Sequence, residues 1–335
     1  MSSVAPSFIP DVGTQIGAYT VVGEVGRGGM ATILKAVHRD TEEVRAIKLM
    51  LPGSHEEEVV QRFKLEFDIL SRLDNPGVTK VFDTGMYGER PYIVMELLDG
   101  VELGAAVDAW KTLPPQERFD RAREVLVKVA TALEYVHGQG LVHRDVTPSN
   151  IMLLHDDTIR LMDFGVVKEP GADLTTVGEV VGTAAYIAPE QITGARVDAR
   201  TDLYGLGAVL YLMLTGKRPF SARTLAGYLD KHLHRPVRPP RELIPTVPTL
   251  LDDVCLRLLS KAPVDRFGSA SHLLHALDED AAADDLMSES IWDPGVVGRA
   301  GEIAQVREAV ARLASGTGGV LVIEAVYGMG RSAMA

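Results

Sequence analysis

The N-terminal part of the chain alternates between short β-prone apolar runs and turn residues. Glycines and charged residues separate three such runs, TVVGEV (20–25), ATILKAVHR (31–39) and VRAIKLML (44–51). This pattern is typical of antiparallel strands joined by tight turns. Two further β-prone runs follow, VTKVFDTG (78–85) and PYIVMELL (91–98). The pattern therefore predicts a small antiparallel sheet.

One stretch inside this β-rich region has the period of an amphipathic helix, EEEVVQRFKLEFDILSRL (56–73). Its apolar residues recur at helical spacing: Val59, Phe63, Phe67 and Leu70. Acidic residues crowd its first turn, as they do at helix N-termini. Glu66 lies on the apolar face, so we expect one helix that presents a carboxylate toward the interior.

Helical patterns dominate from residue 99 to about residue 277. The longest strongly apolar run, residues 203–214, is shorter than the roughly 20 residues that span a bilayer, so it predicts a buried core helix. Residues 278–295 are acidic and poor in large apolar side chains, which predicts a linker. Residues 296–335 contain a helical stretch, a short strand and a glycine turn, and predict the start of a second domain.

Composition excludes some classes of partner. The 335 residues include 34 basic and 46 acidic ones, a formal net charge of -12. Nothing in this balance resembles the basic footprint of a nucleic-acid or anionic-membrane binder, so we expect neither partner. The first residues, MSSVAPSFIP, lack the basic start and apolar stretch of a secretory signal. We therefore expect a cytoplasmic protein.

The first candidate chemistry is a glycine turn with a lysine on a nearby strand. In VGRGGMATI, Gly26 and Gly28 let a hairpin backbone approach phosphates closely. Strands on both sides argue against a dinucleotide-binding turn, which needs a strand followed by a helix. Lys48 in RAIKLM would lose hydration on an apolar strand unless it met an anion. Glu66 offers such a partner, and a solvated edge-strand lysine is the alternative.

The most specific candidate is the segment HRDVTPSN, which contains Asp145 and Asn150 five residues apart. A carboxylate there can accept the proton of an attacking hydroxyl, and the amide oxygen of Asn150 can bind magnesium. Asp163 in LMDFG can supply a second oxygen ligand. Taken singly, these residues fit ordinary turn-forming Asp and Asn.

In this order the motifs resemble the signature set of protein kinases, specifically the bacterial Hanks-type serine/threonine kinases. The resemblance covers residues 19–277. It implies an α+β, bilobal fold: a small antiparallel N-lobe sheet with one key helix (19–98) and a larger, mainly helical C-lobe (99–277). It also implies transfer of the γ-phosphoryl group of ATP to Ser/Thr hydroxyls of proteins, with Mg²⁺. Signal transduction, and autophosphorylation through self-association, are implied as well.

The resemblance implies a role for each motif residue. Asp145 would be the base, Asn150 and Asp163 would bind Mg²⁺, Lys48 would hold the α- and β-phosphates, and Glu66 would anchor Lys48. Met95 would be the gatekeeper beside the hinge. The implied ATP contacts lie in the glycine turn, the hinge and the walls of the purine site: Val25, Gly26, Arg27, Gly28, Gly29, Met30, Ala31, Ile33, Ala46, Lys48, Glu96, Leu98 and Met152.

Further motifs resemble the segment that closes the activation loop, GTAAYIAPE. Thr183 would lie near the substrate hydroxyl, Glu190 would pair with Arg266, and Asp202 would brace the catalytic loop. Arg144 suggests that a loop phosphate orders the segment. Two candidates for that phosphate, Thr175 and Thr176, could equally be ordinary loop threonines.

Two positions depart from the family pattern. Thr147 stands where most such kinases carry a lysine, and Ala31 replaces the third glycine of the turn. The alternative function is therefore an ATP-binding pseudokinase or scaffold with weak or no transfer. A small-molecule kinase is disfavoured, because the APE segment suits protein substrates.

The C-terminal AVYGMGRS resembles a P-loop, with Ala325 for its first glycine and Arg331 for its lysine. It fits an incomplete start of an AAA-type ATPase or an accidental glycine turn.

Overall fold

A computed structural model describes residues 9–28, 31–51, 61, 65, 67–164 and 184–278. The chain divides into two compact units, Met1–Leu274 and His275–Ala335. Nearly all of the second unit lies outside the described residues, so the linker and the ATPase-like start remain predictions.

An antiparallel sheet forms the N-lobe, as the alternating pattern predicts. Its strands run in the order β1-β2-β3-β4-β6-β5: β1 Gln15–Ile16, β2 Tyr19–Arg27, β3 Ala31–His38, β4 Val44–Met50, β5 Val81–Tyr87 and β6 Arg90–Glu96. The short strand β1 was not predicted. The order places β4, which carries Lys48, between β3 and β6, so the edge-strand alternative for this lysine is wrong.

Both faces of this sheet are covered by apolar side chains. One face buries Leu34, Ile47 and Val94 together with the N-terminal Ile16. The other face packs against the N-lobe helix, of which residues 61, 65 and 67–70 are described as helical. Burial on both faces is most complete for the central strands β4 and β6, which explains why these strands read as nearly continuous apolar runs.

The C-lobe is mainly helical, with a small sheet close to the cleft. Its helices are α1 Leu103–Trp110, α2 Pro115–Gly138, α3 Pro189–Thr193, α4 Ala199–Thr215, α5 Leu225–His234, α6 Pro240–Leu243, α7 Thr249–Leu258 and α8 Ala270–Leu277. A sheet of order β7-β8-β9 is formed by Gly100–Glu102, Ile151–Leu154 and Ile159–Leu161. These elements confirm the bilobal α+β fold.

Helix α4 is the buried core helix predicted from the apolar run. The Asp198 side chain caps its N-terminus by accepting from the Arg200 amide at 2.8 Å. The helix ends at Gly216, whose positive φ of 69° suits glycine. A Cβ at Gly205 would lie 2.9 Å from the Val146 carbonyl oxygen. Glycine there lets the helix approach the HRDVTPSN loop closely.

Among the described residues, no helix combines the length and the apolar composition that crossing a bilayer requires.

Candidate active site

The backbone of the HRDVTPSN loop is held by a buried carboxylate from the first turn of α4. Asp202 accepts from the His143 amide at 2.8 Å and from the Arg144 amide at 2.7 Å. Its Oδ2 also lies 2.8 Å from the His137 ring on α2. Arg144 has a φ of +66°, a region that costs free energy for a residue with a side chain. Asp202 therefore braces the loop, as predicted.

His143 joins this loop to the segment that carries Asp163. The ring is fully buried, and burial lowers its pKa, which favours the neutral form. Its Nδ1 lies 3.3 Å from the Asp145 amide and its Nε2 lies 3.1 Å from the Met162 carbonyl oxygen. A neutral ring fits both contacts, because Nδ1 accepts and Nε2–H donates. The ring also lies against Phe164, with centroids 4.4 Å apart.

Asp145 and Asn150 are bonded directly to each other. The Asn150 Nδ2 donates to the Asp145 Oδ2 and to the Asp145 carbonyl, both at 2.9 Å. The Asn150 carbonyl in turn accepts from the Met162 amide at 2.9 Å. With its amide nitrogen committed to Asp145, Asn150 can offer its amide oxygen to a cation.

Lys48 reaches across the cleft to Asp163. Its Nζ lies 2.7 Å from the Asp163 Oδ1. The lysine side chain is 18% exposed and the aspartate 48% exposed, so the pair is only partly shielded from solvent. Asp163 has a φ of +48°, again in the left-handed region. Glu66, the predicted partner of Lys48, lies outside the described residues.

Most of the residues predicted to contact ATP lie on strands of the two sheets. In the N-lobe sheet, β2 carries Val25, Gly26 and Arg27, and Gly28 follows this strand; β3 carries Ala31 and Ile33, and β4 carries Ala46 and Lys48. Strand β6 ends at Glu96, and Leu98 lies two residues further along the chain. In the second sheet, β8 carries Met152. Ala31 is buried in the N-lobe apolar cluster. Gly29 and Met30 lie outside the described residues.

The hinge strand is tied to both lobes by the side chain of Glu96. Its Oε1 accepts from the Lys80 amide at 3.1 Å and from the Arg160 Nε at 3.0 Å. The Glu96 amide donates to the Lys80 carbonyl at 2.9 Å. Since the Glu96 amide already donates this hydrogen bond, the Glu96 carbonyl is the backbone group of this residue that could hydrogen-bond to adenine.

A small cavity of about 20 Å³ is lined by Met95, Lys48, Asp163 and Phe164, among other residues. Its volume is close to that of one water molecule by this measure.

The end of the activation segment is anchored by a buried ion pair. Arg266 binds Glu190 through two contacts, of 2.6 and 2.8 Å, and the Thr201 hydroxyl donates to the same carboxylate at 2.8 Å. Burial alone would raise the pKa of Glu190, but the hydrogen bonds and charge of Arg266 outweigh it, so the pKa is lowered. The predicted pairing is confirmed. Thr175, Thr176 and Thr183 lie outside the described residues.

Thr147 is buried, and its hydroxyl lies 2.9 Å from the Ser149 hydroxyl. The residue at the position of the usual lysine is thus engaged within the loop.

Sequence reasoning missed three residues that contact the site: His137, Arg160 and Gln191. The Gln191 Nε2 donates to the Arg144 carbonyl at 2.8 Å. Its position directly after the Ala-Pro-Glu motif was the sequence feature that could have indicated this contact. Nothing in the local sequence of Arg160 indicated a partner 64 residues away.

Comparisons with known proteins agree with this geometry. Residues 19–277 match the family model described as protein kinase domain. The chain is 36% identical over 275 residues to the serine/threonine-protein kinase Pkn1 of Myxococcus xanthus, an alignment that covers 80% of this chain and 39% of Pkn1. It is 34% identical over 282 residues to PknH of Mycobacterium tuberculosis, covering 82% and 44%.

Solved structures are similar as well. The crystal structure of the Mycobacterium tuberculosis PknI kinase domain aligns with a TM-score of 0.63 at 30% identity, covering 82% of this chain and all of that chain. The chain spans less than half the length of the curated relatives named above.

Proposed function

Because the chain belongs to the protein kinase family, we propose that it transfers the γ-phosphoryl group of ATP to serine and threonine hydroxyls of proteins. The curated relatives bear the name serine/threonine-protein kinase, which supports this substrate class. The observation that carries the proposal is the braced catalytic loop, in which Asp145 is bonded to Asn150 and Asp202 accepts from the backbone amide of Arg144.

Asp145 is the proposed base. Its carboxylate is oriented by the Asn150 amide at 2.9 Å, so it can accept the proton of a substrate hydroxyl at the moment of attack. Catalysis then rests on positioning and on neutralising the charge of the phosphates, and no covalent enzyme intermediate is needed.

Lys48 is proposed to bind the α- and β-phosphates, with Glu66 as its anchor. Oxygen ligands from Asp163 and Asn150 have the hard character that Mg²⁺ prefers, and the Asp163 carboxylate is half exposed, so these residues fit the ion. When bound, Mg²⁺ would neutralise phosphate charge. The glycine turn, Ala46, Met152 and the hinge from Glu96 to Leu98 would enclose the nucleotide.

Regulation and location follow as further proposals. Autophosphorylation of Thr175 or Thr176 through self-association would order the activation loop by pairing phosphate with Arg144. A cytoplasmic role in signal transduction fits an ATP-dependent enzyme.

One observation favours a second candidate, an ATP-binding scaffold with weak or no transfer. Thr147 supplies no cation, and its hydroxyl is engaged with Ser149. Lys48 and Mg²⁺ can still neutralise most of the charge, so active transfer is the better-supported function.

Asp145→Asn separates the two candidates. We expect the wild type to phosphorylate a generic serine- and threonine-containing protein in the presence of Mg²⁺, and the variant to lose about 100-fold or more of the rate. Both proteins should bind an ATP analogue equally. If the wild type and Asp145→Asn both bind the ATP analogue and both transfer phosphate only at the background rate, the scaffold is favoured.

A further inference from the structure

The peptide unit that precedes Asp145 is held by side chains on both sides. Its carbonyl, which belongs to Arg144, accepts from the Gln191 Nε2 at 2.8 Å. Its amide, which belongs to Asp145, lies 3.3 Å from the His143 Nδ1. Because Arg144 has a φ of +66°, this orientation of the peptide plane costs free energy, and contacts from other residues must stabilise it. Its orientation sets the direction in which the Asp145 side chain leaves the backbone.

Gln191 is itself fixed by a second contact. It lies in α3, and its Oε1 accepts from the Ala188 amide at 3.0 Å. An amide N–H can only donate and a carbonyl can only accept, so one orientation of the Gln191 side chain satisfies both partners. The side chain therefore bridges the start of α3 and the catalytic loop.

The start of α3 is well anchored. Ala188 is fully buried, and the next residue but one, Glu190, makes the buried ion pair with Arg266. Asp202 on α4, and His143 and Asn150 within the loop, also contact the backbone of residues 143–145. Gln191 differs from them because it directly follows the segment that closes the activation loop.

We propose that Gln191 is a positioning residue that couples the seating of the Ala-Pro-Glu segment to the orientation of Asp145. The inference rests on the proposed function, because it assigns Gln191 to the same reaction. A residue that only capped helix α3 would need the contact with the Ala188 amide alone. A positioning residue also needs the contact with the Arg144 carbonyl.

Gln191→Glu tests this distinction. The new carboxylate keeps an acceptor for the Ala188 amide but places a second acceptor against the Arg144 carbonyl. We expect kcat to fall about tenfold or more, since a hydrogen bond becomes a repulsion, while KM for ATP stays close to that of the wild type. Gln139→Glu makes the same charge change at an exposed residue at the end of α2 and should leave kcat unchanged.

A pH profile separates positioning from general damage. The pKa of a carboxyl that faces a carbonyl is raised, and its protonated form can donate to that carbonyl again. The ratio of Gln191→Glu to wild-type kcat should therefore rise as the pH falls from about 8 to about 5.5. A constant ratio, together with a lower Tm and weaker ATP binding, would assign Gln191 a merely structural role and overturn the proposal.

Hydrogen exchange gives a readout that does not depend on transfer. Backbone amides of residues 143–150 should exchange faster in Gln191→Glu than in the wild type or in Gln139→Glu. Equal exchange and equal kcat in all three proteins would contradict the coupling. A wild type that transferred no phosphate would defeat the proposed function, while the exchange rates would still decide whether Gln191 holds the loop.

Discussion

The catalytic loop and the strand that carries Lys48 contribute to one site, but different contacts hold them in place. The loop is fixed by buried groups, chiefly Asp202, and the segment behind it by the buried pair of Glu190 and Arg266. Lys48 meets Asp163 at a place where both side chains keep some exposure. The nearby glycine turn is more open still, and Val25 is 54% exposed.

This difference separates two kinds of contribution. Buried hydrogen bonds and the buried ion pair in the C-lobe stabilise a strained backbone. Their loss should therefore lower the free energy of unfolding as well as the activity. Partly exposed groups in the cleft contribute little to stability, because solvent screens them. Their loss should lower phosphoryl transfer and leave the fold intact.

The largest expected effect comes from breaking the buried ion pair. Arg266→Met leaves the Glu190 carboxylate buried without its partner, and we expect the free energy of unfolding to fall by about 3–5 kcal/mol. Arg121→Met removes a half-exposed arginine that pairs with Glu117 at 3.0 Å and should cost less than about 1 kcal/mol. Urea unfolding measures both values.

The double variant Arg266→Met/Glu190→Gln protects this test against a protein that fails to fold. Removing the orphaned charge should restore part of the lost stability. If Arg266→Met and Arg121→Met lower the free energy of unfolding equally, the buried ion pair contributes no more to stability than the exposed one, contrary to our expectation.

Lys48→Met should have the opposite profile. Loss of the cation that we assign to the phosphates should reduce kcat about 100-fold, whereas the free energy of unfolding should change by less than about 1 kcal/mol. Lys35→Met, on the exposed side of β3, is the matched control and should alter neither quantity. A large loss of stability in Lys48→Met would mean that the cleft pair is structural.

Acid pH should weaken the C-lobe through His232. Burial and, to a smaller extent, the charge of Lys261 lower the pKa of His232 to about 4. The unfolded chain takes up this proton near pH 6.5, whereas the folded protein does so only near pH 4. Stability is therefore lost as the pH falls between these values, by about 2 kcal/mol at pH 5.

Urea unfolding from pH 7 to pH 5 measures this loss. His232→Gln should flatten the dependence, and His155→Gln, which removes an exposed imidazole, should leave it unchanged. The same slope in all three proteins would show that another group is responsible.

The smallest expected effect is a gain. Thr147→Lys places the usual cation beside the phosphates, and we expect kcat to rise by up to about tenfold, because one more charge stabilises the transition state. Ser149→Lys, two residues further along the same loop, controls for added charge. A fall in kcat for Thr147→Lys would indicate that the bond between the Thr147 and Ser149 hydroxyls shapes the loop.

Much of the fold could be predicted from the sequence, because the patterns are local. Short β-prone apolar runs bounded by turn residues indicated the strands, and the apolar run from Leu203 indicated α4. The motif order also indicated which residues meet, such as Glu190 and Arg266, through resemblance to a family.

Contacts between distant side chains without a motif could not be predicted. Gln191 meets the Arg144 carbonyl and Glu96 meets Arg160 only after the lobes fold. Local periodicity reports which face of an element is apolar and says nothing about which polar groups a strained loop will recruit. Lys48 and Asp163 both belong to motifs, but the motifs did not indicate that these two side chains pair directly.

Phosphoamino-acid analysis directly tests the proposed transfer of phosphate to serine and threonine. The protein is incubated with Mg²⁺, a protein substrate and ATP labelled at the γ-phosphate, beside Asp145→Asn under the same conditions. We expect labelled phosphoserine and phosphothreonine from the wild type and neither from the variant. Equal labelling by both proteins, or label on tyrosine alone, would contradict this expectation.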